Sequence, residues 1–232
     1  MSGAHAVDEP GSDGSAHAAL GRAAEVMHEV RERCVWTQEI THEALVPYLI
    51  EESHELIDAI ESGSRAELRE ELGDLLWQVL FHAEIASRDP EAPFDIDDVA
   101  GEMAEKMVRR HPHVFAGETA ATPEEVLVHW NAAKAAEKRE RTSVLDGVSL
   151  GMPALALADK LLGRAATVGV VPTADAAASR AGEAGAADIG DRLLALVTQA
   201  RAAGVDAEGA LRARLRELAG EIRAAERPAG SA

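Results

Sequence analysis

Two stretches in close succession constrain the fold most. They are "PYLIEESHELIDAIE", from Pro47 to Glu61, and "AELREELGDLLWQVLFHAEIASR", from Ala66 to Arg88, with only "SGSR" between them. Each repeats its apolar residues at helical spacing. Pro47 suits a first helical turn, and the Ser-Gly-Ser break stops the first segment. Long helices joined so tightly pack antiparallel. The rest of the chain agrees. Ala and Leu dominate, aromatic residues are only 3%, and few runs carry the β-branched and aromatic residues that strands prefer. The expected fold class is all-α: antiparallel helices in a bundle, then a second, degenerate helical repeat.

Other helices are marked by their ends. A first helix is expected from His17 to Arg33, with Leu20, Ala24, Met27 and Val30 at helical spacing, then a loop through "CVWTQEITH". In "FDIDDV", Asp95 caps, Asp98 takes the third helical position and Phe94 staples to Val99. In "TPEEV", Thr122 caps, Pro123 opens the helix and Glu125 completes a capping box; that helix continues to about Arg141. Pro153 opens another, and Ala-rich segments reach Glu226. The run from Glu70 to Ala86 has a faint echo from Ala187 to Ala203, both sharing Gly-Asp, then Leu, then a helical apolar pattern. Three regions are expected: a disordered tail over 1–16, a complete helical domain over 17–145 and an eroded repeat over 146–232.

The formal charge of −18 repels nucleic acid and anionic membranes. Cys34 is the only cysteine, which excludes an intramolecular disulfide and a Cys-based zinc cluster. No apolar run approaches the roughly 18 to 20 residues of a membrane span. The N-terminus lacks a basic region followed by an apolar one, so no secretory signal is expected. The expectation is a cytoplasmic protein, with neither nucleic acid nor membrane as a partner.

At about 100° per residue, Glu51, Glu52, Glu55 and Asp58 share one helix face. Leu49, Ile50, Leu56, Ile57 and Ile60 take the other. A solvated acidic face is the common meaning of such a pattern. The next segment favours a site. Leu68, Leu72, Leu75, Leu76, Val79, Leu80 and Ala83 form a broad apolar face. Glu71, Asp74, Gln78, Phe81 and Ile85 form a second stripe, where Phe81 and Ile85 are odd on a wet surface. Glu71 and Asp74 therefore begin a buried side, and buried carboxylates need partners. Antiparallel packing converges Glu52, Glu55, Glu71 and Asp74. Without Cys, such a cluster suits a hard cation, Mg²⁺ or Mn²⁺. Mg²⁺ commonly completes its shell with waters and substrate phosphates. The acids thus suggest at least two metals and a phosphorylated ligand, with the cations reversing the local sign of charge.

Basic residues fit that ligand. "EKMVRRHPHVF" places Lys106, Arg109 and Arg110 close together, with Lys106 and Arg110 on one face. "HWNAAKAAEK" sets Trp130 and Lys134 at the same spacing, suited to stacking a base and meeting phosphate. Solvated Lys and Arg, and a core Trp, are the plainer alternatives. His111 and His113 flank Pro112 and suit a turn better than a metal. There is no HExxH, no Gly-rich phosphate loop and no nucleophile elbow.

With these residues in order, the sequence resembles the MazG family of nucleoside triphosphate pyrophosphohydrolases, within the all-α NTP pyrophosphatase superfamily. The family motif, EExxE and then ExxD, reads here as Glu51-Glu52-x-x-Glu55 and Glu71-x-x-Asp74. "ELGDLLWQVLFHAEIA", "RRHPHVF", "HWNAAKAAEK" and "LDGVSLGMPAL" are similar to the family as well. The resemblance implies a MazG-like helical bundle that hydrolyses NTPs and dNTPs to monophosphate and pyrophosphate with Mg²⁺. It implies metal ligands at Glu52, Glu55, Glu71 and Asp74, and a water-orienting or supporting carboxylate at Glu51. It also implies phosphate binding at Lys106 and Arg110, with Arg109 beside them, and nucleotide contacts at Trp130 and Lys134. A homodimer or higher homo-oligomer is implied too.

Two departures stand out. "CVWT", Cys34 to Thr37, replaces the family's common "CPWD". The second half keeps Asp188 and Asp191 but has no EExxE, so catalysis is expected in the first half and a structural or dimer role in the second. A narrow-substrate pyrophosphohydrolase and a non-catalytic helical module with a vestigial metal site are the alternatives.

Overall fold

The computed structural model describes residues 18–137, 142–170 and 186–227. The expected tail over 1–16 lies outside them. Among the described residues every regular element is helical, and the fold is all-α.

The chain divides into two compact units, Met1–Ala135 and Ala136–Ala232. The first unit begins with α1 (Ala18–Arg33) and α2 (Val35–Glu39), then α3 (His42–Ser62) and α4 (Arg65–Ala86). It continues with α5 (Ile96–Arg110), α6 (Pro112–Phe115) and the start of α7 (Pro123–Glu137). Helices α3 and α4 form the dominant packed pair, and α1 and α5 pack on α4.

The connection between α3 and α4 explains their tight pairing. Gly63 ends α3 by donating its N–H to the Ala59 carbonyl at 3.1 Å. A Cβ on Gly63 would lie 2.7 Å from the Ala59 Cα, so only glycine fits that approach. Ser64 then caps α4. Its hydroxyl accepts from the Glu67 N–H at 3.2 Å, while the Glu67 carboxylate accepts from the Ser64 N–H at 2.6 Å. This capping box satisfies two helix-end donors at once.

The core gathers Met27 from α1, Ile40, Leu45 from α3, and Leu80 and Phe81 from α4. Phe81 is fully buried, as its place in the second stripe of α4 required. The broad apolar face is less covered than expected. Leu72 is 52% and Val79 42% exposed, because no described element lies over them.

Two local expectations change. Part of "CVWTQEITH" is helix α2, not loop. Thr37 is buried there, its hydroxyl donating to the Val30 or Cys34 carbonyl, each at 2.9 Å. Helix α3 also starts before Pro47, because Thr41 caps it by accepting from the Ala44 N–H. Pro47 sits inside the helix, near its N-terminal end. The Asp95–Asp98 capping box at α5 forms as expected. At α7 the Thr122 hydroxyl accepts from the Glu125 N–H, but the Glu125 carboxylate reaches one residue further back, to the Ala121 N–H.

The second unit contains α8 (Ala154–Thr167), α9 (Ala186–Ala202) and α10 (Ala207–Glu226). Helix α8 packs on both others, with Leu162 and Val197 buried. The Arg201 guanidinium reaches Asp159 at 2.8 Å across the bare surface of Gly163, where a Cβ would lie 2.9 Å from it.

Candidate metal and nucleotide site

The hairpin of α3 and α4 brings together carboxylates that are far apart in sequence. One oxygen each of Glu52, Glu55 and Glu71 lies within 4.8 Å of the others. Among the described residues, no other His, Cys, Asp and Glu group is gathered so tightly. The spacing on α3 puts Glu52 and Glu55 on one face, and the short turn folds Glu71 of α4 against it.

Asp74 joins this group through its field. Burial, then Asp74, Glu55, Glu71 and Glu51 in turn, hold the Glu52 carboxyl above the usual carboxylate range. Burial, then Glu55, Asp74, Glu70 and Glu67, raise Glu71 likewise. Glu51 is exposed at the edge of the cluster. Oε2 of Glu71 is buried with no hydrogen-bond partner. An orphaned carboxylate oxygen amid like charges costs free energy, and a cation reverses that cost. An all-oxygen donor set fits a hard divalent cation.

The basic residues lie elsewhere in the unit, on α5 and α7. Arg110 lies over the Trp130 ring, its guanidinium carbon 4.9 Å from the centroid. His111 packs edge-on to the same indole at 5.3 Å. His111 also closes α5 and opens α6, with Nδ1 at 2.7 Å from the Met107 carbonyl. His113 stacks on His129, which is held by Glu118 at 2.8 Å. These histidines build the turn. Lys106 and Lys134 are half-buried, whereas Arg109 is exposed and 3.7 Å from Glu105.

One feature near the acids was not anticipated. Trp36, Tyr48, Trp77 and Phe81 form a chain of edge-on ring contacts at 6.2 to 6.4 Å. They are four of the chain's seven Trp, Tyr and Phe residues. Tyr48 is one turn before Glu52 on α3, and Trp77 one turn beyond Asp74 on α4. Beside Trp77, buried Gln78 has an unpaired amide oxygen. The spacing to the acids was the signal in the sequence, but contact with Trp36 comes only from folding.

The MazG nucleotide pyrophosphohydrolase domain model matches residues 40–115. An uncharacterised 26.1 kDa protein of Streptomyces cacaoi is 51% identical over 217 residues, 94% of this chain and 86% of that protein. A nucleoside triphosphate pyrophosphohydrolase of Mycobacterium tuberculosis is 51% identical over 148 residues, 64% of this chain and 45% of that protein. A protein of the same name from Escherichia coli K12 is 39% identical over 155 residues, 65% of this chain and 58% of that protein. The chain thus spans about half the length of these two named relatives.

Proposed function

We propose, for a chain that belongs to the MazG nucleotide pyrophosphohydrolase family, hydrolysis of NTPs and dNTPs to nucleoside monophosphate and pyrophosphate. The convergence of Glu52, Glu55 and Glu71, with a buried oxygen of Glu71 left unpaired, carries the reading. Water adds to the α-phosphorus, the bond to the α–β bridging oxygen breaks, and pyrophosphate leaves.

Glu52, Glu55, Glu71 and Asp74 would hold Mg²⁺ or Mn²⁺. Such ions, when bound, supply Lewis-acid charge at the phosphates and activate water. Glu51, exposed beside the cluster, orients that water and accepts its proton. Arg110 and Lys106 neutralise the triphosphate, with Lys134 meeting it from α7. Trp130 sets the direction of Arg110 through its ring and meets the nucleotide base beside it. A stacked ring tolerates any base, which supports a broad role in clearing the nucleotide pool.

The net charge of −18 supports free nucleotides over nucleic acid as the partner. No described helix is long and apolar enough to cross a membrane. A nucleotide substrate favours a cytoplasmic setting. We read the second unit as the degenerate repeat, with a structural or dimer role.

The test is a panel of NTPs and dNTPs with Mg²⁺ or EDTA, with products separated by chromatography. Monophosphate and pyrophosphate, lost with EDTA and in Glu71→Gln, support the reading. Diphosphate and phosphate, or no turnover, contradict it.

A further inference from the structure

Helix α10 carries Leu211, Leu215, Leu218 and Ile222 at spacings of four, three and four, the repeat of a coiled-coil seam. All four are between 41% and 53% exposed. On the same helix Arg212, Arg216 and Ala219 are half-buried. About half of the apolar stripe of α10 is therefore left uncovered by its own unit, and exposed apolar stripes of this length mark contacts.

Charge selects the partner. With Leu215 and Ile222 at position a and Leu211 and Leu218 at position d, Arg214 and Glu221 fall at successive g positions. They share one stripe, since their side chains meet at 3.2 Å along the helix. In an antiparallel pair of identical helices, Leu211 faces Ile222 and Leu215 faces Leu218. Arg214 of each then faces Glu221 of the other. A parallel pair would set Arg214 against Ala219 instead, with no such match.

We propose that α10 docks antiparallel on α10 of a second copy of this chain, through that seam and two reciprocal Arg214–Glu221 pairs. This surface belongs to the second unit and is separate from the proposed chemistry of the first.

Sedimentation equilibrium of the full chain tests it. The wild type is expected to associate. Leu215→Glu combined with Leu218→Glu is expected to halve the particle mass with helical content retained. R214E alone sets acid against acid at both ends of the pair, and E221R alone sets Arg against Arg. Each is expected to weaken association about tenfold. Both variants lose the intrahelical Arg214–Glu221 pair, and R214E also loses Arg214–Glu217 at 3.7 Å, so the equimolar mixture is the arm that reads the contact between copies. The mixture recreates both attractions and is expected to form a mixed pair as tight as the wild type. A monomeric wild type, an unchanged mass in the double Leu variant, charge variants that associate normally, or a mixture that stays apart would each overturn the proposal.

Discussion

Glu55 on α3 and Glu71 on α4 bring a carboxylate oxygen each within 4.8 Å, and Oε2 of Glu71 is buried without a partner. Like charges held this way oppose folding until a cation joins them.

Glu71→Gln is therefore expected to act in opposite directions with and without metal. In EDTA the variant should melt at a higher temperature than the wild type, because one repelling charge is gone. In Mg²⁺ it should gain less, because a ligand is gone. Turnover should fall by about 100-fold or more, the upper end for losing even a supporting group at a metal site. Thermal melts with and without Mg²⁺, beside steady-state rates, check both signs.

The raised carboxyls of Glu52 and Glu71 give a pH signature. The folded state holds their protons to higher pH than the unfolded state does. Stability from these groups is thus lost as pH rises from the ordinary glutamate range, about 4.5, through their folded values. Other carboxyls, such as Glu67 and Asp89, are lowered and act oppositely. The readout is the difference between wild type and Glu52→Gln with Glu71→Gln, by urea unfolding in EDTA from pH 4.5 to 7. The wild type should fall progressively behind as pH rises, and Mg²⁺ should close the gap.

Arg110 and Trp130 should behave as one unit. Arg110→Ala and Trp130→Ala are each expected to lower kcat/KM about tenfold, with a coupling of about 0.5 to 2 kcal/mol in the double variant. Arg109→Ala, whose side chain is exposed and beside Glu105, should change kcat/KM less than about twofold. Steady-state kinetics on the three variants and the double variant separate these outcomes.

Gly63→Ala tests whether the turn, which holds no acid, sets the site. The added Cβ meets backbone atoms of Ala59 at 2.7 and 2.8 Å. Relieving that clash shifts the backbone at the end of α3, where the chain turns into α4. Metal affinity, read by calorimetric titration with Mn²⁺, is expected to weaken about tenfold, while most helical content remains.

Much of this arrangement was legible before folding. Glu52 with Glu55 and Glu71 with Asp74 follow from helical spacing, and the Ser62–Gly63–Ser64 break allowed only a tight return. The cap at Asp95 was equally local. What could not be read depends on long-range packing. Val35–Glu39 becomes helix around Thr37, which is buried and bonded back to α1. The pairing of Arg110 with Trp130 joins α5 to α7, and no spacing rule links them. Helical periodicity also placed Gln78 on a stripe without showing that it would be more buried than Leu72.

The most direct measurement of the central claim is isotope placement. The protein is incubated with ATP and Mg²⁺ in ¹⁸O-enriched water, and the products are read by mass spectrometry. Hydrolysis at the α-phosphorus predicts one ¹⁸O in AMP and none in pyrophosphate, with both products lost in Glu71→Gln. Label in pyrophosphate, ADP with phosphate, or no product from folded protein that binds Mg²⁺ would contradict it.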